Sequence, residues 1–214
     1  MNPIYENLYQ FTQYRREINL STHQYLLLNS RPCLVHTGTA EAARGNIPAL
    51  KELLNGRPLC YILASHLGAD ECGGLYALWQ EWPDAEVLCS EQTARQLAGF
   101  GFTGRIRAVG PDDTVSGDDF RFSFLDYPCE AHLRSGILAY EETGGIFFSS
   151  DLMMRAGESA GEVDTSNWKD EVNATGARQV PNHALLRQLR HALTAIKPRF
   201  VAVGHGACLK LKDF

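Results

Sequence analysis

The 214-residue sequence lacks the features of several specialised classes of protein. No apolar run approaches the roughly 20 residues needed to cross a bilayer. The N-terminal segment has neither the basic stretch nor the apolar core of a secretory signal. Lysine and arginine are not clustered, and the net charge is −5, which argues against nucleic acid as a partner. We therefore expect a cytoplasmic protein that engages neither membranes nor nucleic acid.

The six cysteines show no C-x-x-C spacing. Without an export signal they are expected to be reduced thiols, not a disulfide framework. The lack of a cysteine pair also argues against a structural zinc site. Cys72 and Cys129 stand near candidate site residues, so a redox-active thiol is one interpretation of either. A small buried apolar residue is the commoner role of a free cysteine and is favoured.

Local patterns predict an alternation of strands and helices. The predicted strands are residues 4–11, 25–29, 32–36, 59–64, 86–89, 105–109, 120–126, 137–140, 146–148 and 200–203. The predicted helices are residues 39–54 (with a break near Gly45 and Pro48), 73–81, 91–98 and 181–196. The polar, glycine-rich stretch 155–180 is predicted to be a long loop, a candidate lid. The absence of repeats and linkers predicts one domain over residues 1–214, an α/β protein in which two mixed β-sheets are flanked by helices as an αββα sandwich.

Histidines and aspartates stand just after predicted strands. These candidate residues are His66, Asp70, His132, Asp151 and His205. The ends of several strands meet at one rim of a sandwich, so these side chains are expected to converge. Imidazole and carboxylate suit iron, zinc or manganese. Buried acids and imidazoles without matching lysine or arginine favour a bound cation.

Segment 65–74, SHLGADECGG, resembles the His-x-[His/Glu]-x-Asp-His loop of the metallo-β-lactamase superfamily. His132, Asp151 and His205 resemble the remaining ligands of that superfamily. The 18 residues between His132 and Asp151 resemble the flavodiiron branch, in the form of an oxygen-binding di-iron protein (ODP-like) without the flavodoxin domain. The resemblance implies a metallo-β-lactamase sandwich that binds two metal ions, with iron favoured and zinc or manganese as alternatives.

The sequence departs from that loop at three positions. Gly68 stands where a glutamate or histidine ligand is expected, which leaves one metal coordinatively open. Glu71 replaces a histidine, and it is interpreted either as a ligand or as an acid at the N-terminus of a helix. His36 stands in place of a structural aspartate and is expected to hydrogen-bond the loop.

The resemblance implies distinct roles for the candidate ligands. His66 and His132 would be terminal ligands of one metal, Asp151 the bridge, and the other metal would take the rest: Asp70, Glu71 and His205. The alternative is a cluster held only by hydrogen bonds. His23 is interpreted either as a support for the site or as a surface histidine, and His183 and His191 as surface residues of the last helix.

Two functions of different class follow from the resemblance. The first is binding or reduction of O2 or NO, either by an enzyme or by an oxygen-sensing module. The chain ends without room for a flavodoxin domain, so a separate electron donor or a signalling protein is expected as partner, and a homodimer is implied. The second is metal-dependent hydrolysis of a thioester, lactone or phosphoester. A catalytically silent scaffold is the third alternative.

Overall fold

The computed structural model describes residues 1–129 and 135–212, which form thirteen strands and six helices. The strands are β1 (Leu8–Arg15), β2 (Leu20–Leu27), β3 (Cys33–Val35), β4 (Tyr61–Leu63), β5 (Glu86–Cys89), β6 (Ile106–Ala108), β7 (Thr114–Ser116), β8 (Arg121–Tyr127), β9 (Gly136–Glu141), β10 (Ile146–Ser150), β11 (Val163–Ser166), β12 (Phe200–Val203) and β13 (Cys208–Leu211). The helices are α1 (Ala40–Leu54), α2 (Ala69–Cys72), α3 (Leu75–Glu81), α4 (Glu91–Gly99), α5 (Trp168–Ala174) and α6 (His183–Ala195).

The strands form two mixed sheets. The first has the order β1-β2-β3-β4-β5-β6, with antiparallel pairs up to β3 and parallel pairs from β3 to β6. The second has the order β11-β13-β12-β10-β9-β8-β7, in which the pairs β10–β12 and β11–β13 are parallel. Parallel pairs in both sheets explain why several strands end at the same rim.

Three apolar clusters divide the molecule into four layers. The first lies between the sheets and includes Leu63 of β4 and Phe148 of β10. The second joins the outer face of the first sheet to α1, α3 and α4. The third joins the outer face of the second sheet to α5 and α6. Alternate residues of β4 enter different clusters, because successive side chains of a strand point to opposite faces. The predicted αββα sandwich is confirmed.

The stretch 155–180 is not the long loop that was predicted. It contains β11, which is largely exposed, and α5, which is capped by Asn167 and buries Trp168 and Val172 one turn apart. β11 shows no apolar alternation because it is an edge strand, fixed by its parallel pairing with β13. A strand held by backbone pairing alone leaves no pattern in the side chains.

Other local predictions differ at their boundaries. β1 and β2 form a hairpin that pairs Leu8 with Leu27 and Arg15 with Leu20, so its polar half was missed. Helix α1 runs without a break through Pro48, because it buries Ala43, Leu50 and Leu54 against the first sheet. Within the described ranges, no helix has the length and apolar character that a bilayer crossing requires.

Candidate metal centre

The loop after β4 carries three of the predicted ligands. His66 lies between β4 and α2, and Asp70 and Glu71 lie in the single turn of α2. The turn is held against the segment after β3, because the backbone N–H groups of Thr37 and Gly38 donate to the carbonyls of Glu71 and Asp70, at 3.0 and 2.8 Å. The segment after β3 in the first sheet thus fixes the backbone positions of Asp70 and Glu71.

The second sheet supplies the other two described candidates. Asp151 directly follows β10, whose last residue, Ser150, has a left-handed φ of 49° at a shift in the pairing with β12. His205 follows β12 after Gly204, whose N–H donates to the Ser150 carbonyl at 2.9 Å. A Cβ at position 204 would lie 2.9 Å from that carbonyl oxygen. Glycine therefore allows the ends of the two strands to approach, and this brings Asp151 beside His205.

These five side chains converge in two groups that share one residue. Ligand atoms of His66, Glu71 and Asp151 lie within 4.8 Å of one another, and so do those of Asp70, Glu71 and His205. Asp151 stands between the two imidazoles, with Oδ1 3.1 Å from Nε2 of His205 and Oδ2 3.7 Å from Nε2 of His66. Nε2 of His205 is also 3.5 Å from Oδ2 of Asp70.

Both imidazoles are oriented with Nε2 toward the acids. Nδ1 of His205 lies 2.9 Å from the carbonyl oxygen of Ser21, which can only accept, so Nδ1 carries the proton. Nδ1 of His66 lies 3.1 Å from the hydroxyl of Ser65 and 3.4 Å from that of Ser150. Hydrogen bonds of this kind fix the ring and its tautomer in metal-binding histidines.

Glu71 is nearly inaccessible to solvent, with 1% of its surface exposed. Its Oε2 is 3.2 Å from Nε2 of His66 but accepts no hydrogen bond within the described part of the chain. Neither Glu71 nor Asp70 pairs with a lysine or arginine there. Glu71 was interpreted either as a ligand of the second metal or as an acid at the N-terminus of a helix. Its carboxylate lies in both groups, and the residue also stands in the first turn of α2.

The charge balance of the cluster favours a cation. Burial, followed by the charges of Asp70 and Asp151, raises the pKa of Glu71 to about 10. Burial lowers the pKa of His205, but its hydrogen bond to Asp151 and the charges of Asp151 and Asp70 outweigh this and raise it overall. Three acids and two imidazoles in one enclosure are thus short of positive charge, which either protons or metal ions can supply. The donor set and the unpartnered Oε2 of Glu71 fit metal ions that take nitrogen and oxygen ligands.

The other predicted residues fall in several places. His132 lies outside the described residues. His36 is buried, and its Nε2 lies 2.9 Å from the hydroxyl of Ser65, so the predicted contact with the loop is present. His23 is also buried and supports the strand end: its Nε2 donates to the carbonyl of Gly206 at 2.9 Å. Burial lowers the pKa of both histidines to about 4, so both are neutral at pH 7.

The remaining predicted residues lie on α6, in α2 and in the stretch after β10. His183 and His191 are exposed on α6, as predicted. Cys72 is buried, with its thiol 3.2 Å from the carbonyl oxygen of His66. Burial raises the pKa of Cys72 to about 12, so a reactive thiolate is disfavoured there. Arg155, at the start of the predicted lid, donates its backbone N–H to the carbonyl of His205 and so packs beside the cluster.

The sequence predictions overlooked the hydroxyls of Ser65 and Ser150, which lie 2.8 Å apart and both contact His66. Each is next to a candidate ligand in the sequence. Small hydroxyl residues beside predicted ligands were the available clue, because a ligating histidine needs a partner for its second nitrogen.

Two mixed sheets between helical layers, with histidines and acids gathered where strands of both sheets end, define a metallo-β-lactamase-like domain. A family model described as "ODP family beta lactamase" matches residues 20–206, and the chain belongs to that family. The predicted fold and flavodiiron branch are both confirmed.

Known proteins similar to this chain include a flavodiiron core and two oxidoreductases. The anaerobic nitric oxide reductase flavorubredoxin of Salmonella typhi is 22% identical over 143 residues, which are 65% of this chain and 30% of that protein. The metal-soaked flavodiiron core from Synechocystis has a TM-score of 0.77 and 18% identity, covering 98% of this chain and 56% of that one. The rubredoxin oxygen:oxidoreductase of Desulfovibrio gigas has a TM-score of 0.78 and 15% identity, covering 98% and 57%. The chain thus spans 30% of the curated relative and a little over half of these two structures, and the likeness to the structures shows the fold.

Proposed function

We propose that this domain binds two metal ions, with iron as the favoured metal, and that it binds or reduces O2 or NO. The observation that carries the proposal is the pair of ligand groups that share Glu71 and are short of positive charge. His66 and Asp151 would hold one ion and Asp70 and His205 the other, with Asp151, which stands between the two imidazoles, as the predicted bridge and Glu71 within reach of both ions. To the first group the sequence adds His132. The names of two relatives, a nitric oxide reductase and an oxygen:oxidoreductase, support the choice of substrate.

The residues of this chain would orient the ligands and limit access of water. Ser65 and the carbonyl of Ser21 hold the two imidazoles so that Nε2 faces the acids. Histidine and carboxylate ligands with open positions are typical of non-haem iron sites that react with oxygen. Bound iron would supply the redox chemistry, and a separate protein would supply electrons. If no donor engages the domain, binding alone would serve as an oxygen signal to a partner protein. We also expect a homodimer.

The experiment is a metal count on protein purified without oxygen, combined with absorption spectra. We expect two irons per chain and a near-ultraviolet absorption that appears on exposure to air and bleaches on reduction, because ferric iron with oxygen ligands absorbs in this range and ferrous iron does not. Two zinc ions without absorption would point to hydrolysis of a thioester, lactone or phosphoester instead. A count near zero would refute the proposal and leave a cluster held by hydrogen bonds alone.

The same count tests His132. His132→Ala is expected to lose most of the metal of the first group, whereas His191→Ala, on the exposed face of α6, serves as the control and retains both ions. Retention of two ions by His132→Ala would contradict the role of that histidine.

A further inference from the structure

The carboxylate of Glu71 fills the space of a side chain that residue 68 does not have. A Cβ built on Gly68 would lie 2.0 Å from Oε2 of Glu71 and 3.1 Å from Nε2 of His66. Both distances are below ordinary van der Waals contact, so any side chain at position 68 would enter the volume that Glu71 now occupies. The two residues compete for one place beside His66.

The backbone does not explain why residue 68 is glycine. Gly68 has φ −128° and ψ 164°, an extended conformation that every residue adopts readily. Glycine costs conformational entropy, which is usually tolerated where the chain needs a positive φ or a close approach. The close approach here is to the Glu71 side chain, and not to backbone. Glycine at position 68 is therefore explained by the absence of a side chain, which leaves space for the Glu71 carboxylate.

The position of Glu71 in α2 directs its side chain toward that space. Gly68 is the N-cap of α2, and Glu71 is the third residue of the helix. A glutamate at this position characteristically reaches back to the N-cap residue. With no side chain on the cap, the carboxylate continues past it to His66, and its Oε2 ends without a hydrogen-bond partner among the residues described.

We propose that Glu71 is a carboxylate ligand shared by both metal ions and that Gly68 is the residue that admits it. The inference rests on the proposed two-metal function and deepens it. It also fills the position that Gly68 left open in the sequence analysis, since Glu71 belongs to the group of His66 as well as to that of His205. A third carboxylate in the cluster shifts the metal preference toward iron or manganese and away from zinc.

The first test restores a side chain at position 68. Gly68→Ala should displace the Glu71 carboxylate while the backbone keeps its conformation. We expect the variant to fold, to bind fewer than two ions, and to lose about tenfold or more in affinity for Mn²⁺, a loss of the size seen when a metal site is disturbed. Gly45→Ala is the matched control, because a Cβ there meets nothing within 4 Å, and it should bind as the wild type does.

The second test moves the carboxylate to the other residue. Glu71→Ala should lose metal, and the double variant Gly68→Glu with Glu71→Ala should bind more metal than Glu71→Ala alone, because its carboxylate starts from the Cβ position next to the vacated space. The readouts are metals per chain and Mn²⁺ affinity, with circular dichroism as the check on folding. If Gly68→Ala fails to fold, this comparison still decides the question.

The outcomes separate the inference from the function on which it rests. A wild-type protein that binds no metal refutes the proposed function. A wild-type protein with two ions, together with Gly68→Ala or Glu71→Ala proteins that also hold two ions at wild-type affinity, refutes only the shared role of Glu71. A double variant that binds no better than Glu71→Ala also counts against it.

Discussion

Ser65 connects the candidate ligand His66 to two further buried side chains, those of His36 and Ser150. Its hydroxyl lies 2.9 Å from Nε2 of His36, 3.1 Å from Nδ1 of His66 and 2.8 Å from the hydroxyl of Ser150. All four side chains are buried. The orientation of His66, and with it the direction of Nε2, therefore depends on a network that one hydroxyl holds together.

Replacing this hydroxyl should affect both stability and metal affinity. Ser65→Ala leaves buried polar atoms of His36 and Ser150 without this partner, and we expect a loss of about 1–3 kcal/mol in the free energy of unfolding. Because His66 is less firmly oriented, metal affinity should fall about tenfold. Urea denaturation of the metal-free protein and Mn²⁺ titration measure the two effects.

Ser149 provides the matched control for Ser65. It is fully buried, and its hydroxyl has no hydrogen-bond partner within the described chain. Ser149→Ala should therefore be neutral or stabilising and should leave metal affinity unchanged. Equal effects of the two substitutions would show that the contacts of Ser65 do not matter.

Single residues also show which parts of the site a sequence can predict. The convergence of His66, Asp70, Asp151 and His205 was predicted because each comes shortly after a strand, and strand ends meet in this fold. Their role as ligands stays a prediction. The shared position of Glu71 was missed because Gly68 was interpreted as a lost ligand. A glycine gives no sign of what occupies its space, and only the coordinates show that Glu71 does.

At the scale of elements, α3 packs closely against α1 and the segment before it, and α3 directly follows the turn of α2 that carries Asp70 and Glu71. Gly74, the N-cap of α3, donates its N–H to the carbonyl of Gly38 at 2.9 Å and to the hydroxyl of Thr37 at 2.9 Å. A Cβ on Gly74 would lie 2.2 Å from Cβ of Ala43 in α1 and 2.9 Å from the Thr37 carbonyl oxygen. The contact involves backbone and a short side chain, neither of which can move aside easily.

We predict that Gly74→Ala separates α3 from α1 and destabilises the protein. Overpacking of this kind costs about 1–3 kcal/mol. Metal affinity should fall as well, because Gly74 lies two residues after α2, the helical turn that carries Asp70 and Glu71. Gly99→Ala, at the end of α4 where a Cβ meets nothing within 4 Å, is the control for both measurements. An unchanged urea midpoint for Gly74→Ala would show that the helices accommodate the methyl group.

Elements differ in how far the sequence predicted them. β4 was predicted from its continuous apolar run, since both of its faces are buried in separate clusters. β11 was missed because it is exposed and depends on pairing with residues about 45 positions away, as in Val163 with Cys208. β13 is largely buried and pairs with the nearby β12, as in Val201 with Leu209, so its short apolar pattern was overlooked. Local patterns record burial well, but they do not record partners that are distant along the chain.

At the scale of the whole molecule, the cluster joins the two halves of the sandwich. His66, Asp70 and Glu71 come from the loop after β4 in the first sheet. Asp151 and His205 follow β10 and β12 in the second. The carbonyl of Ser21 in β2 crosses from the first sheet to hold His205. Ions in this position would link the sheets, as a cross-link between their ends.

Metal binding should therefore stabilise the entire fold. Because the five ligands are brought together only by folding, ions bind the folded state in preference to the unfolded chain. Stabilisation follows from mass action and amounts to about 2.7 kcal/mol at a free metal concentration a hundred times Kd. The measurement is the urea midpoint of chelator-treated protein with increasing Mn²⁺, which avoids oxidation of iron. His205→Ala should lose most of the gain, whereas His183→Ala, exposed on α6, should retain it. A midpoint that does not move with metal in the wild type would mean that the two sheets are held together without ions, and that protons alone balance the charges of the cluster.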